Sequence, residues 1–163
     1  MAPLAPGRKA PDFRLNDLAD SPRTLGEFLR PGGTLLCLLK TECPTCRLAL
    51  PFMQNLHAAY AGDRLGTLAV TENTAGEAKA FAAELGLAFP FLCENPPYLT
   101  SSAYDLANTP TFFLLGGDGV IERAQVGFLR DFFIEMSAAW AKITGRPLAD
   151  PFGGAEVPMM SPG

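Results

Sequence analysis

Thr34-Leu-Leu-Cys-Leu-Leu39 runs six residues without any polar alternation, and Pro31-Gly32-Gly33 sets a turn immediately before it. A short apolar run bounded by turn residues suits a strand buried on both faces, and such strands belong to sheets covered on both sides. Four residues on comes Cys43-Pro-Thr-Cys46, followed by Leu48, Phe52, Met53, Leu56 and Tyr60 at helical spacing. The chain is therefore expected to leave a buried strand and enter a helix at the first cysteine. Pro44 would occupy the first helical position, where its missing N–H costs nothing. Pro51 falls inside the helix and is expected to kink it.

The same reading extends along the chain. Residues 1–11 form an extended arm, Asp12 to Leu15 an edge strand, and Leu25 to Leu29 one helical turn. Leu65 to Thr71 forms a second buried strand. Thr74-Ala-Gly-Glu77 has the pattern of a capping box opening a helix striped by Ala78, Phe81 and Leu85, with Gly86 as its stop. Phe89 to Leu92 is a short strand, Leu99 to Leu106 a short helix, and Thr111–Leu115 and Val120–Val126 a hairpin about Gly116-Gly-Asp-Gly119. Leu129, Phe132, Phe133, Met136, Trp140 and Ile143 stripe a closing helix that ends at Gly145. The fold class is α/β, a central mixed β-sheet with helices on both faces. One domain spans residues 1–145. Residues 146–163 are Pro/Gly-rich without periodicity and are read as a flexible tail, with Phe152 and Met159-Met160 as its only docking groups.

Charge and length exclude several classes. At 163 residues one core is expected, and it can bury enough surface to need no disulfide scaffold. A net charge of −4 without any basic block argues against nucleic acid or an anionic membrane surface as partner. No run approaches the ~20 apolar residues of a membrane span. The N-terminus shows no apolar segment behind its positive charges, so a cytoplasmic protein is expected from the chain as it stands, or an extracytoplasmic one if a signal has been removed.

The cysteines carry the chemistry. Of Cys37, Cys43, Cys46 and Cys93, two make a C-x-x-C, and His57 is the sole histidine. A structural zinc site commonly takes two close ligand pairs, so no metal is expected. A lone C-x-x-C is better used as a redox dithiol. With Cys43 as helix N-cap, its sulfur accepts the unpaired N–H groups, and the positive helix end favours thiolate. Cys46 lies on the same turn, close enough to attack a mixed disulfide made by Cys43. Cys37 reads as a small core residue, Cys93 as a loop thiol, either structural or a third redox group, and His57 as a surface residue.

These residues resemble the thioredoxin superfamily, and within it the redoxin branch of TlpA-like thiol–disulfide oxidoreductases. Ala10-Pro-Asp-Phe13 resembles the opening shared with peroxiredoxin chains. Cys43-Pro-Thr-Cys46-Arg47 is similar to the active site of cytochrome c maturation thioredoxins. Pro51 falls at the family's kinking proline, and the strand–helix block before the closing elements resembles the TlpA-type insertion. Thr109-Pro110-Thr111 resembles the cis-proline loop, and Gly127 a glycine at the corresponding point. The resemblance implies a thioredoxin-like fold and thiol–disulfide exchange on protein or small-molecule disulfides. Cys43 would attack, Cys46 would resolve, and Thr109 and Pro110 would face the substrate as a pairing edge. No cofactor is implied, and electrons pass to or from a redox partner that the sequence does not identify.

Three positions depart from the pattern. Cys37 stands where many thioredoxins keep a buried acid, and Glu42 where Trp is usual. Lys40 lies two residues further back. A close carboxylate opposes the thiolate and a close ammonium favours it, so Lys40 and Glu42 are candidate modulators or else a solvated rim. Two alternatives remain at this point. A peroxiredoxin-type thiol peroxidase would need P-x-x-x-T/S-x-x-C; counting back from Cys43 meets Lys40 and Leu36, and from Cys46, Cys43 and Leu39. The other is a non-catalytic binding module of the same fold.

Overall fold

The computed structural model describes residues 2–163. In chain order it contains β1 (Arg14–Asp17), β2 (Pro22–Thr24), a 3-10 turn (Leu25–Glu27), β3 (Thr34–Leu39), α1 (Pro44–Tyr60), β4 (Gly66–Thr71), α2 (Ala75–Leu85) and β5 (Phe91–Cys93). There follow α3 (Leu99–Ala103), β6 (Thr111–Leu115), β7 (Ile121–Val126), β8 (Phe128–Leu129), α4 (Arg130–Thr144) and β9 (Met160–Ser161). Seven strands form one sheet in the order β2-β1-β5-β4-β3-β6-β7. β3, β4 and β5 are parallel. β6 runs antiparallel to β3 and β7 to β6, while β1 and β2 extend the opposite edge antiparallel to β5. No helix among the described residues is long and apolar enough to cross a membrane.

β3 is central and all six of its residues are buried. Alternation along it divides the core, because successive side chains of a strand point to opposite faces. Leu35, Cys37 and Leu39 pack with α1, α2 and α4 in one cluster that includes Phe52, Phe81, Phe112, Phe132, Phe133 and Trp140. Leu36 and Leu38 pack on the other face with Leu4, Phe13, Phe28, Tyr104 and Phe113, drawn from the arm, the end of the 3-10 turn, the end of α3 and β6. The helices thus lie on both faces, the three long ones sharing the face that carries Cys37.

The capping box at α2 forms as expected. Glu77 N donates to Thr74 Oγ1 at 3.2 Å, Thr74 N donates to the Glu77 carboxylate at 3.0 Å, and Gly86 ends the helix at φ 68°. α1 starts at Pro44 and continues through Pro51 to Tyr60. β2 is an addition to the sequence reading. Its Pro22 begins an outermost strand, where a missing donor is tolerated.

The segment 146–163 differs most from its expectation. It packs along the domain instead of leaving it. Phe152 is buried with its ring edge-on to Phe52, centroids 5.0 Å apart, and it also meets Phe128 and Phe133. Ala149 N donates to Tyr60 Oη at 2.8 Å, Ser137 Oγ donates to Ala149 O at 2.6 Å, and Asn55 Nδ2 donates to Pro151 O at 2.8 Å. Buried hydroxyls need partners, and here tail backbone supplies them, so aperiodic sequence is fixed by polar pairing. Phe152 docks as a lone apolar anchor, whereas Met159 and Met160 stay exposed. β9 pairs antiparallel with β8 through Phe128↔Ser161 and Leu129↔Met160.

Candidate active site

The loop after β3, the start of α1 and the loop before β6 meet at Cys43. The backbone of Cys43 is extended (φ −79°, ψ 121°) and its Sγ accepts the Cys46 N–H at 3.2 Å, so the thiol is the N-cap of α1. Pro44 occupies the first turn, as its lack of an N–H allows. From the other side, the Cys43 thiol donates to Thr109 O at 3.3 Å. The Thr109–Pro110 peptide bond is cis. The sequence-predicted residues Cys43, Cys46, Thr109 and Pro110 are therefore gathered at one point from segments far apart in the chain.

The two cysteines differ in exposure. Cys43 is half-buried, and Cys46 is wholly buried in the face lined by α1 and α4. All four cysteines are free thiols. Burial, reinforced by the bond and charge of Cys43, drives the Cys46 thiol far above its ordinary range. Cys37 is also fully buried on the same face of β3. Its thiol is pushed up chiefly by burial, then by Cys46 and Cys43. It is a core residue, as expected, that lies electrostatically within reach of the pair. Cys93 ends β5 opposite Thr71 and is half-buried, which raises its thiol too.

Lys40 and Glu42 go separate ways. Lys40 Nζ pairs with Glu72 Oε2 at 3.2 Å, so its charge is directed along the ends of the strands. Glu42 accepts from Asn73 Nδ2 at 3.0 Å and from Thr41 Oγ1 at 3.2 Å. These bonds, the Asn73 one foremost, hold its carboxyl below the ordinary glutamate value. Asn73 is a residue that sequence reasoning missed. Its Oδ1 also accepts Thr41 N–H at 2.9 Å, tying the loop after β3 to the loop after β4. The available signal was that β3 and β4, if parallel neighbours, must end side by side. His57 lies at the far end of α1, half-buried, its Nδ1 2.6 Å from Thr67 Oγ1. Burial lowers its pKa, and it bridges α1 to β4 instead of facing solvent.

The arrangement sets the half-buried thiol of Cys43 one helical turn from the buried thiol of Cys46 and beside the backbone carbonyl of Thr109. Comparison with known proteins agrees in kind. A family model described as AhpC/TSA family matches residues 6–124. The thiol-disulfide oxidoreductase ResA of Geobacillus kaustophilus is 31% identical over 136 residues, covering 81% of this chain and 75% of the relative. The thioredoxin-like protein YneN of Bacillus subtilis is 32% identical over 125 residues, 74% of this chain and 71% of that one. Among solved structures, a putative thiol:disulfide interchange protein DsbE from Chlorobium tepidum superimposes with a TM-score of 0.75 at 25% identity, covering 87% of this chain and 99% of its own.

Proposed function

This chain belongs to the AhpC/TSA family and is a thiol–disulfide oxidoreductase, and from that premise we propose that it works through Cys43 and Cys46, with Thr109 and Pro110 as the substrate-facing loop. The observation that carries the assignment is the placement of Cys43 Sγ, 3.2 Å from the Cys46 N–H at the helix start and 3.3 Å from Thr109 O.

The exchange balances without a cofactor. The Cys43 thiolate attacks one sulfur of a substrate disulfide. The substrate S–S bond breaks, a mixed disulfide forms, and the departing thiolate takes up a proton. Cys46 then loses its proton and attacks Cys43 Sγ, closing the Cys43–Cys46 disulfide and releasing the second substrate thiol. The substrate gains two electrons and the dithiol loses two; a partner dithiol resets it, and the reverse sequence oxidises a dithiol substrate. Half-burial suits Cys43 to meet the substrate, and full burial keeps Cys46 protonated until the mixed disulfide stands beside it. β3 contributes a thiol, Cys37, beneath the pair and no carboxylate, so the Cys46 proton does not leave to an acid on that strand.

Protein disulfides, small disulfides and a separate redox partner are the reactants this site fits. The assignment of roles is tested by Cys46→Ser. With an insulin substrate the variant should accumulate a mixed disulfide on Cys43, seen by mass spectrometry of tryptic peptides. An adduct on another cysteine, or none, overturns it.

A further inference from the structure

The far end of the chain lies on the dithiol site, and no feature of the exchange chemistry requires it there. Thr45, the residue between Pro44 and Cys46, donates its hydroxyl to Pro162 O at 2.6 Å and lies 3.1 Å from Ser161 Oγ. Arg130 N donates to Met159 O at 2.9 Å, continuing the β8–β9 pairing. Gly127, at φ +72°, carries no Cβ, and one added there would lie 2.6 Å from Ser161 O. A Cβ added at Gly163 would lie 2.8 Å from Thr109 O. The segment therefore touches the residue inside the C-x-x-C, the loop at Thr109 and the strand after β7, and leaves Thr45 only 8% exposed.

We propose that residues 158–163 are an internal strap in the groove that takes extended segments of disulfide substrates, and that it competes with them. The proposal rests on the dithiol reading above and deepens it by naming the substrate class. Three observations point to a strap that opens. It is held by backbone pairing and by Thr45, while Met159 and Met160 are 64% and 62% exposed and bury little apolar surface. It lies as an extended strand along β8, the mode in which a peptide adds to a free strand edge. Phe152, seated among Phe52, Phe128 and Phe133, anchors the chain a few residues upstream and keeps the strap at high local concentration. An extended polypeptide must displace the strap to pair with β8 and the Thr109 loop; a disulfide without a peptide arm needs only the sulfur of Cys43.

When a groove is open only part of the time, apparent affinity falls by that fraction. Deletion of residues 158–163 should therefore lower KM for insulin, recycled with dithiothreitol, at least about threefold. Its kcat, and the rate with bis(2-hydroxyethyl) disulfide, should change less than about twofold. Gly163→Val should act in the same direction while leaving Phe152 and the core untouched. The peptide of residues 157–163, added to the deletion variant, should raise KM for insulin at constant kcat. Unchanged or raised KM in both variants overturns the proposal. A readout free of turnover is the amide resonances of Thr45, Thr109 and Gly127. They should shift on deletion and return with the peptide, and stationary resonances overturn strap occupancy. If the full chain reduces no insulin while these resonances respond, the dithiol reading has failed and the strap has not.

Discussion

α1 and α2 begin alike and do different things. Each follows a parallel central strand, β3 or β4, and opens at the same edge of the sheet. Each has an extended N-cap residue whose side chain accepts the N–H three residues on, Cys46 N to Cys43 Sγ and Glu77 N to Thr74 Oγ1, both at 3.2 Å. The caps differ in the accepting atom, sulfur at Cys43 and oxygen at Thr74, and in what stands at that third residue. At α2, Glu77 returns a bond to the cap backbone, so the box is closed and the helix end is satisfied. At α1 the position holds Cys46, and Cys43 N turns back to Lys40 O at 3.2 Å. A closed box stabilises a helix; leaving out the carboxylate keeps the helix-end field for the sulfur and puts a second thiol on the same turn. One local geometry therefore serves architecture at α2 and, on the reading proposed above, chemistry at α1, according to the side chains at the cap and three residues on.

The comparison breaks most visibly at Cys43. Cys43→Ser converts the α1 cap to the hydroxyl type used at α2. Insulin reduction should fall to the rate of dithiothreitol alone. Stability should stay within ~1 kcal/mol, because Ser is a good N-cap. Turnover assays and thermal unfolding of the same preparation check both halves. A large loss of stability would mean that the sulfur is structural at that position.

Thr74→Ala is the reciprocal change. It should cost about 1 kcal/mol and lower Tm by roughly 2–4 °C in a domain of this size. Insulin turnover at 25 °C should be unaltered. A change in turnover would show that the two caps are coupled, with the Asn73 bridge from Thr41 to Glu42 as the connection.

The smallest effect separates the caps by pH. The bond from Thr74 N holds the Glu77 carboxyl below the ordinary glutamate value of 4.5. A carboxyl lowered in the folded state contributes stability above its unfolded value, and that contribution is lost as pH falls through the folded value. The Thr74 amide resonance should therefore move with a midpoint below 4.5. The Cys46 amide, whose acceptor is sulfur, should hold still over the same range. Equal movement of both amides would erase the distinction.

The parts legible in the sequence are those whose cause is local. β3 is a run of apolar residues, Thr74 and Glu77 are a box at fixed spacing, and Gly86 and Gly145 stop their helices in the left-handed conformation as C′ glycines do. Cys43 and Cys46 were readable because a strand end and a helix start bracket them. What escaped depends on distant partners. β2, β8 and β9 are two or three residues long and exist through pairing alone. Asn73 matters because β4 ends beside β3. The tail was misjudged because its anchors are one phenylalanine and the hydroxyls of Tyr60 and Ser137, which no periodicity announces.

The two-sided burial of β3 also bears on how the chain acquires its shape. Cys37 pairs across to Ala69 on one side and to Phe112 on the other, so its position closes only after segments from both halves of the chain have arrived. Such non-local pairing is the slow kind. Until it is complete, Cys37, Cys46 and Cys93 are as open to oxidation as Cys43, and a bond formed by Cys37 would have to be undone before the central strand could seat. Refolding from denaturant should therefore give a higher yield in a reducing medium than in an oxidising one, whereas the finished sheet buries Cys37 completely and shields it from oxidants.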